Sequence, residues 1–399
     1  MSFNIALSGL QATSQDLNTI SNNIANASTW GFRGGRSEFA AIYNSGMGAG
    51  VNVMNTSQNF SREGTLTYTG RELDMGIQGS GFFMLRGTDG SNLYARAGIF
   101  GQDALGFITD PVGNRLQGYP ATADGVLQTG TMGDLQIKTG SLPAKASTLV
   151  NQVSNLDARM EAIDPATTPF SPTDPASYHS SGTVSVFDSL GNQRSLTQYY
   201  AKTGDNEWKV YFVLDSAVLE PKDGHSLQFD KKGSLSGGDK LSLTLPAKAG
   251  AEDVSLAVNY EGFTQYANDY NNSSLSQDGY AAGEFNKIRL DDSGMLFGTY
   301  TNGQELLQGQ VVLADFNNPN GLTPVSNNAW QASASAGQAT VGAPGSGTLG
   351  SLKGAYLEGS NVDTTAEMVS LMTAQRNYQS NAKVLDTNST MQQALLNAI

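Results

Sequence analysis

Apolar residues recur with a helical period at both ends of the chain and with the alternation of strands between them. In the first thirty residues, Phe3, Leu10, Leu17 and Ile24 fall seven apart, with Leu7, Ala6, Ile20 and Ala27 along the adjoining stripe. This spacing predicts an amphipathic helix with a narrow, coiled-coil-like seam. Asp16 is the only charged side chain between Ser2 and Trp30, and the rest of the polar face is Gln, Asn, Ser and Thr. A helix without supporting Lys–Glu pairs is marginal alone in water, so it is expected to form by packing against a partner. At the other end Met368, Leu371, Tyr378, Leu385, Leu396 and Ile399 form a second stripe close to the seven-residue period, with Ala382 between them. Asn361 and Asp363 are placed to cap this helix, and Glu367 supports its start. A helix over 364–399 would be a rod of roughly 50 Å. The two terminal helices are expected to pair. Ile20, Val384 and Met391 lie off the main stripes and predict a second interface, to other copies.

Between the helices the pattern is that of strands and turns. Gly31, Gly34 and Gly35 end the first helix, and Trp30 and Phe32 read as apolar anchors, capping the helix end or meeting a neighbouring subunit. Residues 31–70 read as an extended linker with a flexible loop at Ser45–Gly50 and short strand-like pieces at 51–53 and 66–68. Strand candidates follow at 73–78 and 81–86, then at 183–187, 194–200, 207–214, 241–245 and 254–258, and again at 285–290, 295–300 and 310–316. Asp-x-x-Gly recurs at Asp103, Asp110, Asp188, Asp230 and Asp291. Asp at the first position of a type I turn, followed by a Gly free to take positive φ, is a hairpin signal. None of these turns has the Asp density of a calcium loop. Residues 331–351, rich in Ala, Gly and Ser, read as surface rather than core.

The expected fold is mostly β with terminal α-helices. Nested, discontinuous β domains sit inside an N/C-terminal helical pair: 1–30 with 364–399 helical, 31–70 a linker, 71–144 with 281–363 an inner β domain, and 145–280 an inserted outer β domain. Length allows this, at 399 residues. A net charge of −13 from only 15% charged residues argues against nucleic acid and anionic membrane as partners. There are no Cys residues, which removes disulfides, thiolate metal sites and thiol nucleophiles. No stretch is long and apolar enough for membrane insertion, and no signal peptide is visible, so the protein is expected to be cytosolic or to leave by a route that needs no cleaved signal.

Candidate chemistry is sparse. His179 lies in a Pro/Ser loop and His225 in a Lys-Asp-Gly-His turn, and both read as solvated loop residues. Asp291 and Asp292 are adjacent in a turn and need not converge. Gly79-Ser80-Gly81 lacks a third Gly at Met84, so the dinucleotide fingerprint fails. No catalytic constellation, metal site or cofactor site is expected.

Several motifs resemble one family. Asn22, Asn23, Ile24 and Asn26, followed by Gly31, Phe32 and Arg33, resemble the N-terminal signature of the bacterial flagellar rod and hook axial proteins. Gly79, Gly81, Phe82 and Phe83 fall in a stretch similar to the family's second motif, which continues through Tyr94–Gly98 and Asn114–Tyr119. Leu357–Asp363 and the run with Gln375, Arg376, Asn377 and Tyr378 resemble its C-terminal signature. The motifs cover about 1–140 and 285–399; the middle carries none, and Trp30 replaces a small or β-branched residue. The length and the inserted domain resemble the hook branch.

The resemblance implies a non-enzymatic subunit that polymerises with itself into a curved helical tube. Such a tube acts as a universal joint carrying torque from rod to filament. The terminal helices would line the inner tube, through Phe3, Leu7, Leu10, Leu17, Ile20, Ile24, Met368, Leu371, Tyr378, Ala382, Leu385, Leu396 and Ile399. It also implies export by the flagellar type III apparatus and assembly outside the cell under a hook cap. The further partners would be the rod and the hook–filament junction proteins. Within the family the alternative is a distal rod protein, with a straight, rigid polymer. A monomeric β-rich surface binding protein would have no use for apolar helices at both ends, and a wall hydrolase would need convergent acids.

Overall fold

The computed structural model describes residues 2–44 and 47–397. The chain divides into two units: Met1–Thr139 with Asn286–Thr299 and Glu305–Ile399, and Gly140–Phe285 with Tyr300–Gln304.

In the first unit, helix α1 spans Ser2–Ala25 and helix α2 spans Thr364–Asn397. The Asp363 carboxylate caps α2, accepting from the Thr365 and Ala366 N–H groups at 2.9 and 3.2 Å. The helices pack antiparallel, with Gly9 against Asn381 at one end and Asn23 against Glu367 at the other. A Cβ on Gly9 would lie 2.9 Å from Asn381 Nδ2, so the missing side chain sets how closely the helices approach.

The span 31–70 is not a linker. Strands β1 (Gly35–Asn44) and β2 (Met47–Gln58) form a long antiparallel hairpin with register shifts at Glu38/Phe39 and Ile42/Tyr43. Ser45 and Gly46, in the expected loop, lie outside the described residues, while Met47–Gly50 belongs to β2. The hairpin lies on α1, with Thr19 Oγ1 2.9 Å from Ser37 Oγ and the Val51 N–H donating to Ser8 Oγ at 3.2 Å. Its composition hid it. Strands rich in Asn, Ser, Gly and Ala have little propensity of their own and depend on the surface they cover.

The β body of this unit centres on Phe82–Arg86, paired on one side with Asn92–Ala95 and on the other with Arg115–Pro120. Arg115–Pro120 in turn pairs with Glu305–Val311. Its core gathers Phe82, Tyr94, Phe316 and Trp330 in edge-to-face contacts. Phe60 packs against Phe82 and Trp330, and Trp330 Nε1 donates to Gln58 Oε1 at 2.7 Å, so the hairpin's end is anchored in this core. The Ala/Gly/Ser stretch also contributes. Thr340–Gly342 is a strand paired with Leu313–Asp315, and Ala336 and Leu349 are buried. Most of the stretch is nevertheless exposed or half-buried, as its composition predicts, and only locally does a small residue allow close approach: a Cβ on Gly350 would lie 2.4 Å from the Gln78 carbonyl oxygen.

The second unit is a sandwich. Leu149–Asp157 runs parallel to Val254–Asn259 and Thr264–Tyr266, and antiparallel to Asn271–Gln277. Facing it, Gln193–Gly204 and Glu207–Leu214 are central strands of a six-stranded sheet. Inward residues of both sheets, among them Leu156, Val186, Trp208, Phe212 and Leu256, share one core. The chain enters and leaves side by side: Lys145 and Tyr280 exchange backbone bonds of 3.0 and 2.9 Å.

The Asp-x-x-Gly turns behave as expected. In all five the Asp Oδ1 accepts from the N–H groups two and four residues on, and each Gly has φ between +79° and +98°. The histidines are not solvated loop residues. His179 Nδ1 accepts from the Lys202 N–H at 3.1 Å beside Trp208, and His225 begins a strand and bonds the Gly238 carbonyl at 2.8 Å.

Candidate assembly surface and its buried junction

The terminal helices bury little of their apolar surface within one subunit. On α1 the face turned inward is built from small residues, with Ala6 and Ala12 buried, and from Ile20 and Asn23. Phe3 and Leu7 are exposed, and Leu10, Leu17 and Ile24 are half-buried. Ile20, read from the sequence as part of an outward interface, is 6% exposed and belongs to the subunit's interior. On α2 Ala374 is buried and Leu371, Ala382 and Leu385 are half-buried, at the spacing that faces α1. Met368, Val369, Met372, Tyr378, Val384 and Met391 are exposed. Ile399 lies outside the described residues, and Leu396 lies in the last turn, of which the backbone alone is described. Two helices with this much outward apolar surface form an incomplete core.

Polar groups fix the helix pair to the rest of the unit. Asn23 donates to the Gly35 carbonyl at 2.8 Å, accepts from the Gly35 N–H at 2.8 Å, and donates to Glu367 Oε1 at 3.2 Å. One side chain thus joins α1, β1 and α2. Burial raises the Glu367 carboxyl above its ordinary value. The Asn23 hydrogen bond opposes that rise, and the charges of Asp16 and Asp363 add to it. Burial raises the Asp16 carboxyl too.

Beneath this surface lies a buried ionic junction. Glu358 is 0% exposed, Arg33 1% and Arg96 3%, so all three charges are out of water. Glu358 Oε1 accepts from Arg33 Nη2 at 2.8 Å and from the Gly64 N–H at 2.9 Å, and Oε2 accepts from Arg96 Nε at 2.8 Å. Two guanidiniums against one carboxylate leave an excess positive charge, which backbone carbonyls absorb. Arg96 donates to the carbonyls of Gly79 (2.9 Å) and Gly81 (2.5 Å), and Arg33 to that of Arg62 (3.0 Å). Burial, and after it the Arg96 charge, lowers the Arg33 guanidinium from its ordinary value, while Glu358 pulls it back up. Gly31, at φ +69°, passes so close to the strand carrying Arg96 that a Cβ would lie 2.4 Å from the Ala97 nitrogen. Its own N–H donates to the Glu358 carbonyl at 2.8 Å. Asn361 completes the knot, accepting from the Gly34 N–H and donating to the carbonyls of Asn59 and Arg62.

The motif residues divide by role. Asn22 is exposed on α1, and its carbonyl accepts from the Asn26 side chain at 3.0 Å, closing the helix. Asn26 Oδ1 accepts from the Thr29 hydroxyl at 3.1 Å. Phe32 is half-buried, and Phe82 and Phe83 are core, the latter edge-to-face with Phe100 at 5.2 Å. Gln375, Arg376 and Asn377 are exposed on α2. The three junction charges lie inside three separate sequence motifs, and nothing local to those motifs shows that they meet. The available signal was a charged residue inside each otherwise apolar or Gly-rich motif. Among the described residues no group of three or more His, Asp or Glu could hold a metal, and no helix is long and apolar enough to cross a membrane.

Comparison with known proteins gives the same picture as the geometry. Four family models match in order: Flagella basal body rod protein (residues 3–33), Flagellar hook protein FlgE/F/G D1 domain (76–152), Flagellar basal body protein FlaE D2 domain (155–280) and Flagellar basal body rod FlgEFG protein C-terminal (353–398). Together with terminal helices around a β body, they define an axial structural protein of the bacterial flagellum. The chain is 37% identical over 404 residues to the flagellar hook protein FlgE of Salmonella typhimurium, covering 100% of each chain. It is likewise 37% identical over 404 residues to that of Escherichia coli, again with 100% coverage. The crystal structure of Helicobacter pylori flagellar hook protein FlgE2 shares the fold, with a TM-score of 0.57 at 14% identity over 73% of this chain and 100% of that one. The chain belongs to the flagellar hook protein FlgE family and is a structural subunit of the hook.

Proposed function

We propose that the chain polymerises through its terminal helices into the curved tube that carries torque from rod to filament. The observation that supports this most directly is the outward apolar surface of α1 and α2, with Phe3, Ile5 and Leu7 on one helix and Met368, Met372 and Met391 on the other. Covering such residues with copies of the same pair would give a cohesive inner wall, with Leu10, Leu17, Leu371, Tyr378 and Leu385 along the seam. The β units form the outer layers, where charge-poor, Gly-rich surfaces make wet contacts that re-form as rows of subunits lengthen and shorten in each turn.

In this reading the subunit is exported by the flagellar type III apparatus and adds outside the cell beneath a hook cap. It joins the rod at one end and the junction proteins at the other. Its role is mechanical rather than enzymatic. The test is negative-stain electron microscopy of the purified protein under polymerising conditions. Curved tubes are expected; straight, rigid rods would favour a distal rod component, and a lasting monomer would overturn the reading.

A further inference from the structure

We propose that a trough on α1 receives α2 of a second copy, with Met368 and Met372 lying along its apolar floor and Arg376 pairing with Asp16. This rests on the reading of the chain as a polymer subunit. The trough, of about 640 Å³, lies between α1, the hairpin and α2. Ile5, Gly9, Ala12 and Thr13 form its floor on one face of α1, and Phe39 and Val51 stand along the hairpin side. Gly9 and Ala12 are covered by the subunit's own α2, so the apolar surface open to an incoming helix is that of Ile5 and Phe39, 41% and 44% exposed.

Asp16 is the last residue of α1 to line this trough. It is the only charged side chain on α1, it is half-buried, and it has no hydrogen bond or ion pair among the described residues. A partly desolvated carboxylate without a partner is costly, and its raised carboxyl shows that cost. A cation seated in the trough removes it.

The complementary pattern stands on the outer face of α2. Met368 and Met372 are 56% and 54% exposed, one helical turn apart. One turn further is Arg376, exposed and without a side-chain partner among the described residues. The other cation of α2, Lys383, is already paired with Asp386 at 3.0 Å. From Met368 to Arg376 is roughly 12 Å along a helix axis, and from Ile5 to Asp16 roughly 16 Å, so two apolar residues and a cation fit an apolar floor ending in a carboxylate. Unbranched Met side chains suit a trough of irregular depth. The two patches differ and both lie on every copy, so the contact is heterologous and propagates into an open array.

The absence of Cys makes disulfide trapping clean. A chain carrying both Thr13→Cys and Met372→Cys, oxidised after assembly, should give a ladder of covalent multimers on a denaturing gel. A mixture of the two single variants should stop at dimers. Tubes of the double variant that yield only monomers on oxidation would overturn the contact and leave the polymer reading intact. Failure of the unmodified protein to form tubes would overturn the polymer reading itself. Charge reversal supplies the second arm. Asp16→Arg and Arg376→Asp should each raise the critical concentration for assembly by about tenfold or more, and the two together should restore it to within about threefold. A double variant no better than either single one would overturn the Asp16–Arg376 pair.

Discussion

At the scale of the residue, Glu358 holds the most consequence. Its carboxylate sits between two guanidiniums and is fully buried from solvent. Removing one member of such a cluster leaves a buried charge without compensation, at a cost of about 3–5 kcal/mol. Glu358→Gln should therefore lower the protection of amides in 75–86 against hydrogen exchange by a large factor and leave those in 193–214, in the other unit, unchanged. Adding Arg33→Met should recover part of the loss. Arg96 would then be the one cation left in the junction, held by the Gly79 and Gly81 carbonyls. A double variant no better protected than Glu358→Gln alone would show that shape rather than charge matters there. Arg33, Arg96 and Glu358 are separated by 262 residues or more from their partner in the junction. Local pattern carries no information on contacts at that separation. What the sequence displayed was their company: Gly31 beside Arg33, Gly79 and Gly81 before Arg96, Gly359 after Glu358. Glycines that let backbones approach closely marked the junction without naming it.

At the scale of the element, the two helices and the Asp-x-x-Gly turns could be read because each carries its own signal, a period or a cap or an Asx bond. The hairpin could not, since its stability comes from α1 beneath it and from Phe60 and Gln58 at its end. The period of the seam is real, but the inward face of α1 uses Ala6, Ala12 and Ile20, while Phe3 and Leu7 point outward. The helix pair also carries an electrostatic cost that makes its stability depend on pH. The Glu367 carboxyl is raised, first by burial, and Asp16 is raised by burial alone, so the folded pair binds protons more readily than the unfolded chain. Stability of the pair should then increase as pH falls from neutral towards the ordinary carboxylate range, and decrease as pH rises through the raised values. Glu367→Gln keeps an acceptor for Asn23 and removes the charge. Helix content by circular dichroism should rise at neutral pH, and its change between about pH 4 and 7 should shrink. Lower helix content in the variant at neutral pH would show that the carboxylate stabilises the pair.

At the scale of the whole molecule, the second unit can be separated because of how the chain enters and leaves it. Lys145 and Tyr280 exchange both backbone hydrogen bonds, and Leu142 and Gly283 do the same. The two ends are held as neighbouring antiparallel strands, about 5.5 Å apart at a bonded pair. An Asn-Gly turn closes strands at that spacing without strain. Replacing 146–279 by such a turn removes the sandwich core around Trp208 and Phe212. It leaves untouched the aromatic cluster of Phe82 and Trp330, the Glu358 junction and both helices, all of which draw on residues outside 140–285. The shortened chain should fold, with the fluorescence of Trp330, read in a Trp30→Phe background, still that of a buried indole, and should still form tubes, because the apolar helix faces are intact. What it should lose is fixed curvature. If contacts between the inserted units select among subunit spacings, tubes without them relax towards one average spacing, which is straight at rest and bends freely. Filming single tubes under thermal motion separates the outcomes. Tubes that keep their curve would place the determinant of shape in the first unit. Tubes that become straight and stiff would show that the inserted unit supplies compliance rather than shape.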